Sequence, residues 1–266
     1  MAWNKDSIIR LATVDSTNRY MRDDADNLWN KHGENGFVVI TATHQTAGRG
    51  QRGNIWSSNT GENLLISILV RPGEALEVKR QFLLSQAVAL AMHDAMLHYD
   101  IDTRLKWPND IYAGNRKLAG ILVELDYAGR YVEQAIIGIG LNVNQQAFPP
   151  MDRVPVSMKM LRKAENEKRK TENGKQRQDL VLDDVLSTLL CSFERYYNLL
   201  LQGHGDEIAA EYDKLLLGIN EQHTFIDKDG PFDAVLQGVE SDGHLLLQRN
   251  DGCTGRYAFK EVEMVL

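Results

Sequence analysis

The stretch Thr43-His44-Gln45-Thr46-Ala47-Gly48-Arg49-Gly50-Gln51-Arg52-Gly53 sets three glycines and two arginines side by side. Such a composition suits an anion. Gly48, Gly50 and Gly53 fall in the Gly-x-Gly-x-x-Gly spacing of a dinucleotide-binding turn. The context argues against that use. A dinucleotide turn runs directly into a helix whose N–H groups face a pyrophosphate, whereas Asn54 to Gly61 is turn-like and leads into the apolar run Leu64 to Val70. A P-loop would need Lys-Ser or Lys-Thr at its end, and a kinase loop would need His-Arg-Asp and Asp-Phe-Gly downstream. Neither pattern occurs. The residues leave two readings: a backbone nest of N–H donors with Arg49 and Arg52 beside it, holding a carboxylate or phosphate, or a glycine-rich hairpin with solvated arginines.

A second group with chemical potential follows. Thr103 to Trp107 is strand-like and is broken by Pro108, and Ile111-Tyr112 and Leu118 to Glu124 flank the turn Ala113-Gly114-Asn115-Arg116-Lys117. This hairpin brings Lys106, Asn109, Asp110 and Lys117 together. Two ammonium groups, a carboxylate and an amide could serve a nucleotide, because magnesium bound to phosphates takes only one or two protein carboxylates. Asp110 helped by Asn109 is the expected metal site. Asp15-Ser16-Thr17-Asn18 offers N-cap oxygens for a helix through Met21 to Trp29, and the same groups could bind a neutral polar ligand such as a cyclic urea. Asn142 ends the glycine-containing strand Tyr131 to Asn144 and could read an adenine edge.

The elements that must position these groups are legible from periodicity. Ile8 to Leu11 and Phe37 to Ile40 read as strands, and Leu84, Val88, Ala91, Ala95 and Tyr99 as the core face of a helix between Val78 and Tyr99. A helix over Val181 to Leu201 presents Val185, Leu189, Phe193 and Tyr197, and another spans Ile208 to Leu217. After Gly218, short apolar runs punctuated by Asp229-Gly230, Asp242-Gly243 and Asp251-Gly252 indicate a small antiparallel barrel. The expected division is 1–217 and 218–266. From Lys159 to Arg177 lysines and arginines alternate with glutamates, the pattern of a solvated segment.

Composition narrows the function classes. The chain has 266 residues, 43% hydrophobic and 25% charged, which is ordinary for a globular protein. Its formal net charge of -7 supplies no global field toward DNA or an anionic membrane. Cys191 and Cys253 lie far apart and the seven histidines are scattered, so neither a disulfide framework nor a zinc site is expected. No apolar run could span a bilayer and Met1 to Asp6 lacks the core of a signal peptide, so a cytoplasmic location with no membrane partner is expected.

Taken in order, Ser16-Thr17-Asn18, Gln45-Thr46-Ala47-Gly48-Arg49-Gly50, Trp56, Lys106-Trp107-Pro108-Asn109-Asp110, Lys117-Leu118-Ala119-Gly120-Ile121 and Gly138-Ile139-Gly140-Leu141-Asn142 resemble the biotin protein ligase family over nearly the whole chain. The resemblance implies an α+β fold: a mixed β-sheet flanked by helices, related to the class II aminoacyl-tRNA synthetase core, with a C-terminal SH3-like barrel. It implies ATP and biotin as substrates with Mg²⁺, formation of biotinyl-5′-AMP, and transfer of biotin to a lysine of a biotin carboxyl carrier protein. By the same resemblance Ser16, Thr17, Asn18, Gln45, Gly48, Lys117 and Gly120 would hold biotin. Arg49, Gly50, Gln51, Arg52, Trp56 and Asn142 would hold the nucleotide. Arg49, Lys106, Asp110 and Lys117 would carry the chemistry, with Asn109 and Asp110 at the metal.

Two features depart from the family pattern. Gln51 stands where many members carry arginine, and the charged segment after Lys159 is longer than usual. The chain before Ser16 is far shorter than the ~40 residues an independent domain needs, so no operator binding is expected of a monomer or homodimer of this kind. The competing readings are a lipoate or octanoate ligase or transferase on a related core, and a nucleic-acid-binding module using the basic segment. The net charge and the lack of interleaved aromatics count against the latter.

Overall fold

A computed structural model describes residues 8–150, 153–162 and 179–265, apart from the side chain of Arg52. The charged stretch read as solvated therefore lies outside the described residues from 163 to 178. One mixed sheet runs β1 (Ile9–Val14), β2 (Phe37–Gln45), β3 (Leu64–Val70), β8 (Tyr131–Leu141), β7 (Arg116–Ala128), β6 (Asp110–Ala113), β5 (Arg104–Lys106), and β4 (Gly73–Glu77) pairs with β8. β1 lies parallel to β2, and the neighbours from β2 onward are antiparallel. β3 is buried at each of its positions, as expected of a central strand covered on both faces.

Helices cover both faces, as read from the sequence. On one side α1 (Thr17–Asp23) and α2 (Ala25–His32) place Met21, Ala25 and Leu28 against Val38, Ile40, Leu69 and Ile136. The single helix expected through Met21 to Trp29 is two, because the backbone leaves helical geometry at Asp24 (φ -134°, ψ 26°). On the other side α3 (Phe82–Leu97) is apolar nearly all round and has 13 buried residues among its 16. A helix with that pattern must be an inner layer. It lies between the sheet and the outer pair α4 (Leu182–Leu201) and α5 (Gly205–Leu215). Val185, Leu189, Phe193 and Tyr197 form the buried stripe of α4, four residues apart as the sequence indicates.

The C-terminal strands β9 (Gln222–Asp227), β10 (Gly230–Val239), β11 (Leu245–Arg249), β12 (Thr254–Tyr257) and β13 (Val262–Met264) form an antiparallel sheet in the order β12-β11-β10-β9-β13. The closed barrel expected from the turn pattern is not what the described residues form. β13 is three residues long and spends that length pairing with β9, so no ladder joins it to β12 and the sheet is open. This sheet packs on the main body. The Trp107 indole donates to the Gly243 carbonyl at 3.0 Å and meets Phe259 at 5.3 Å, and Leu217 N–H reaches Leu105 O at 2.9 Å. No described helix is long and apolar enough to cross a membrane.

Phe193 fastens α4 to the sheet through an edge-on contact with Phe37 at 5.4 Å and a stack on Tyr197 at 5.6 Å. Phe193→Ala is expected to lower unfolding stability by about 3–5 kcal/mol, the usual cost of truncating a fully buried aromatic. Urea denaturation followed by circular dichroism measures it, and a loss under about 1 kcal/mol would contradict the packing described.

Candidate active site

Alternation along β7 and β8 gives the sheet two unlike faces. Ile121 opposite Ile139 and Val123 opposite Ile137 point into the core, so Gly120 opposite Gly140 and Leu122 opposite Gly138 point the other way. That second face is the floor of a cavity of about 1060 Å³. The glycines leave room for side chains that lie flat on the strands. A Cβ on Gly140 would collide with the Trp56 indole, one on Gly120 would stand 3.1 Å from the same ring, and one on Gly138 would stand 2.5 Å from Asn18 Oδ1. The Trp56 indole N–H is buried there without an acceptor.

One wall is polar and neutral. Ser16 occupies the N-cap position of α1 with extended backbone, yet its side chain makes no cap hydrogen bond, and the residue lines the cavity. Thr17 donates twice to Gln45 Oε1, from its N–H at 2.7 Å and its hydroxyl at 3.0 Å. Ser67 Oγ lies 2.8 Å from Thr17 Oγ1 and 2.5 Å from Asn18 Oδ1, and Asn18 Nδ2 donates to Glu124 at 2.8 Å. Glu124 also holds Arg49 at 3.2 Å on the cavity rim.

The facing wall is charged. Antiparallel pairing puts Lys106 opposite Asp110 and Asp110 opposite Gly120. The Asp110 side chain is 2% exposed, with Oδ1 2.6 Å from Lys117 Nζ and Oδ2 2.6 Å from Arg153 Nη1. Arg153 reaches on to Glu263 Oε1 of β13 at 3.1 Å. Burial, reinforced by the Arg153 charge and only partly offset by Asp110, pushes the Lys106 ammonium down from its ordinary value to about 8. Burial and the adjacent Asp110 raise the Tyr112 phenol to about 12.

Asn109 and Asp110 do not fit a magnesium ion in this arrangement. Both carboxylate oxygens of Asp110 already face cations at 2.6 Å, and the Asn109 amide donates to Ile121 O at 2.7 Å. A divalent ion bound there would have to displace two side-chain cations. Elsewhere among the described residues, Glu240, Asp242 and His244 come close enough together to ligate a metal, but the Arg256 guanidinium already contacts both carboxylates.

Most of the residues singled out in the sequence converge on this cavity: Ser16, Thr17, Asn18, Gln45, Arg49, Gly50, Gln51, Trp56, Lys106, Asn109, Asp110, Lys117 and Gly120. Two, Gly48 and Asn142, lie outside its lining, and for Arg52 the side chain is not among the described ones. Gly48 lies behind the wall, where a Cβ would strike the Trp56 carbonyl. Asn142 is buried and donates to Val156 O at 3.1 Å. The open N–H nest is likewise not formed as expected: Gly50 N–H bonds Asn54 O at 2.7 Å and Trp56 N–H bonds Gly48 O at 3.0 Å, closing the glycine stretch on itself. Ser67, Glu124 and Arg153 escaped the sequence reading. For Glu124 a signal existed, a lone carboxylate ending the apolar run Leu118 to Val123; Arg153 gave none.

Comparison with known proteins agrees with this geometry. Residues 11–142 match the biotin/lipoate A/B protein ligase family. The bifunctional ligase/repressor BirA of Bacillus subtilis is 32% identical over 236 residues, covering 88% of this chain and 68% of that protein. The biotin–[acetyl-CoA-carboxylase] ligase of Mycobacterium tuberculosis is 40% identical over 112 residues, 41% of this chain and 40% of that one. The fold matches the Aquifex aeolicus biotin protein ligase in complex with biotin and ATP, with a TM-score of 0.74, 24% identity, and 97% and 98% of the two chains covered.

The Lys106 shift has a thermodynamic consequence whose sign is fixed. Between pH 8 and 10.5 the unfolded chain binds the proton that the folded chain has released, so this group's contribution to stability rises with pH across that window. Below pH 8 the folded protein carries the penalty in full. Lys106→Met is therefore expected to stabilise the fold at pH 7 by roughly 1–3 kcal/mol and to gain progressively less toward pH 10.5. Urea midpoints at pH 7 and pH 9.5 measure the difference; a gain that grows with pH would refute the assignment.

Proposed function

The chain belongs to the biotin/lipoate A/B protein ligase family, and we propose that it activates biotin with ATP to biotinyl-5′-AMP and then transfers biotin to a lysine of a biotin carboxyl carrier protein. The observation that carries this reading is one cavity with a neutral hydrogen-bonding wall at Ser16, Thr17 and Gln45 facing a cationic wall at Lys106, Lys117 and Arg153. Biotin has the same asymmetry, a neutral ureido ring at one end and a carboxylate at the other.

In the first step a carboxylate oxygen forms a bond to the α-phosphorus while the bond to the β-phosphate oxygen breaks and pyrophosphate leaves. Two anions must meet, so the protein's task is neutralisation and alignment. Lys117, with its side chain 22% exposed, meets the carboxylate, and Arg49 on the rim meets the phosphodiester. Ser16, Thr17 and Asn18 hold the ureido ring, with Gln45 fixing Thr17 and Gly120 leaving space beneath. Trp56 rises from the glycine floor to stack on adenine; its unpaired N–H supports that movement. Asn142 has no part in this scheme. Magnesium, bound to the nucleotide's phosphates, would supply further neutralisation of their charge.

In the second step the acceptor amine attacks the acyl carbon, the amide forms, and AMP leaves with the acyl oxygen. Because cations already engage both oxygens of Asp110, we assign it the orientation of the amine and of Lys117. Residues 1–217 form the ligase unit in this reading and 218–266 a smaller SH3-like unit. Its five short antiparallel strands and Asp-Gly turns support that assignment. A carboxylase's biotin-accepting domain is the partner that the relatives' chemistry suggests.

Biotin-dependent exchange of pyrophosphate into ATP tests the first step. Exchange is expected with biotin and not with lipoate or octanoate, and Lys117→Ala should reduce kcat/KM by about 10²–10³-fold, the scale for removing one charge-stabilising group. Exchange with lipoate or octanoate instead would move the chain to the other branch of the family.

A further inference from the structure

Asp110 is a buried anion with two cationic partners, and one of these, Lys117, has a competing use. A carboxylate left in the protein interior with a single counter-ion holds it tightly, because breaking such a pair strands an uncompensated charge. Were Lys117 that single partner, recruiting it to a substrate carboxylate would carry the full cost. Arg153 alters this. Its Nη1 takes Asp110 Oδ2 at 2.6 Å while Nη2 takes Glu263 at 3.1 Å, so the planar fork is held from both sides. Arg153 stands 43 residues after Asp110 in the chain and belongs to none of the clusters that the sequence resemblance carried.

We infer that Arg153 is a positioning residue: the standing counter-ion of Asp110, which releases Lys117 to follow the substrate carboxylate toward the α-phosphorus. This rests on the biotin-ligase reading of the cavity. The groups facing Asp110 agree with it. Lys106 on β5 and Tyr112 on β6 contribute no anion, Lys117 on β7 is the mobile cation, and Glu263 on β13 anchors the fixed one. The inference also accounts for the poor fit of magnesium, since the charge a metal would neutralise at Asp110 is already met by Arg153. Through Glu263 the C-terminal sheet becomes part of the arrangement, joined to Asp110 by way of Arg153.

The test is a double-mutant cycle read by biotin-dependent pyrophosphate exchange. Arg153→Ala is expected to raise the KM for biotin roughly tenfold, below the range for fully buried pairs because the arginine is 40% exposed. Arg153→Lys, which keeps the charge and loses the fork, should recover most of that. With Asp110→Asn there is no anion to compete for Lys117, so adding Arg153→Ala should then change KM by less than about twofold, as expected for residues that act as a unit. Effects that multiply independently in the double variant would overturn the inference, as would an unchanged KM in folded Arg153→Ala. If Arg153→Ala does not fold, Arg153→Gln, which removes the charge and keeps most of the bulk, completes the same cycle with and without Asp110→Asn, with the same outcomes expected. An absence of biotin-dependent exchange in the wild type is a different result, removing the ligase reading and this inference with it.

Discussion

A carboxylate enclosed by protein must be neutralised, and the site takes its shape from how Asp110 meets that requirement. Three antiparallel strands, β5, β6 and β7, deliver Lys106, Asp110 and Lys117 to one place by ladder register. Arg153 arrives from a distant segment to complete the set. Because the positions derive from hydrogen-bonded strands, the charges are preorganised, and little reorganisation is needed when an anion enters. The lowered Lys106 shows how tightly positive charge is gathered here: the cluster holds as much as burial allows, and part of it is surrendered as a proton near pH 8.

The glycine pattern is the complementary constraint. A sheet with one face in the core and the other under a ligand must carry bulk on alternate residues and lack it on the rest. β7 and β8 do this in register, with isoleucine pairs beneath and glycines above. The glycines have ordinary strand conformations, and what they supply is clearance. Trp56 occupies that clearance now, and Lys117 Nζ sits 5.7 Å from the centre of its ring. A ligand entering the floor must therefore move an aromatic ring and a cation together, which couples its binding to the Asp110 cluster.

This division of labour explains what the sequence disclosed. Helices and strands were legible because their periodicity reports the local choice between burial and exposure, as in Val185, Leu189, Phe193 and Tyr197 of α4. Lys106, Asp110 and Lys117 were legible because a short hairpin guarantees their proximity. Arg153 was not, since an arginine in an irregular segment carries no periodic signal and its partner lies far away in sequence. Asn142 and the glycine stretch share a feature that the sequence does not disclose. Each offered donors that the fold consumes internally, at Val156 O for the amide and at Asn54 O for Gly50. A donor's availability is a tertiary property. Closure of the C-terminal strands was not legible for a geometric reason, because turn signals fix strand succession and not whether the two outermost strands meet.

Net charge gave no guidance about the interior. The chain carries -7 overall, yet among the described residues the cavity lining holds seven lysines and arginines against four carboxylates, a local excess of three positive charges (7 - 4). Three of the seven, Lys228, Arg256 and Lys260, come from the C-terminal sheet. A pocket with low-dielectric walls focuses such an excess, so anionic substrates experience attraction inside a chain whose net charge is negative. The small C-terminal sheet is thus more than an appendage: it doubles as a wall of the cavity and, through Glu263 and Arg153, as a fixed point for the carboxylate at its centre.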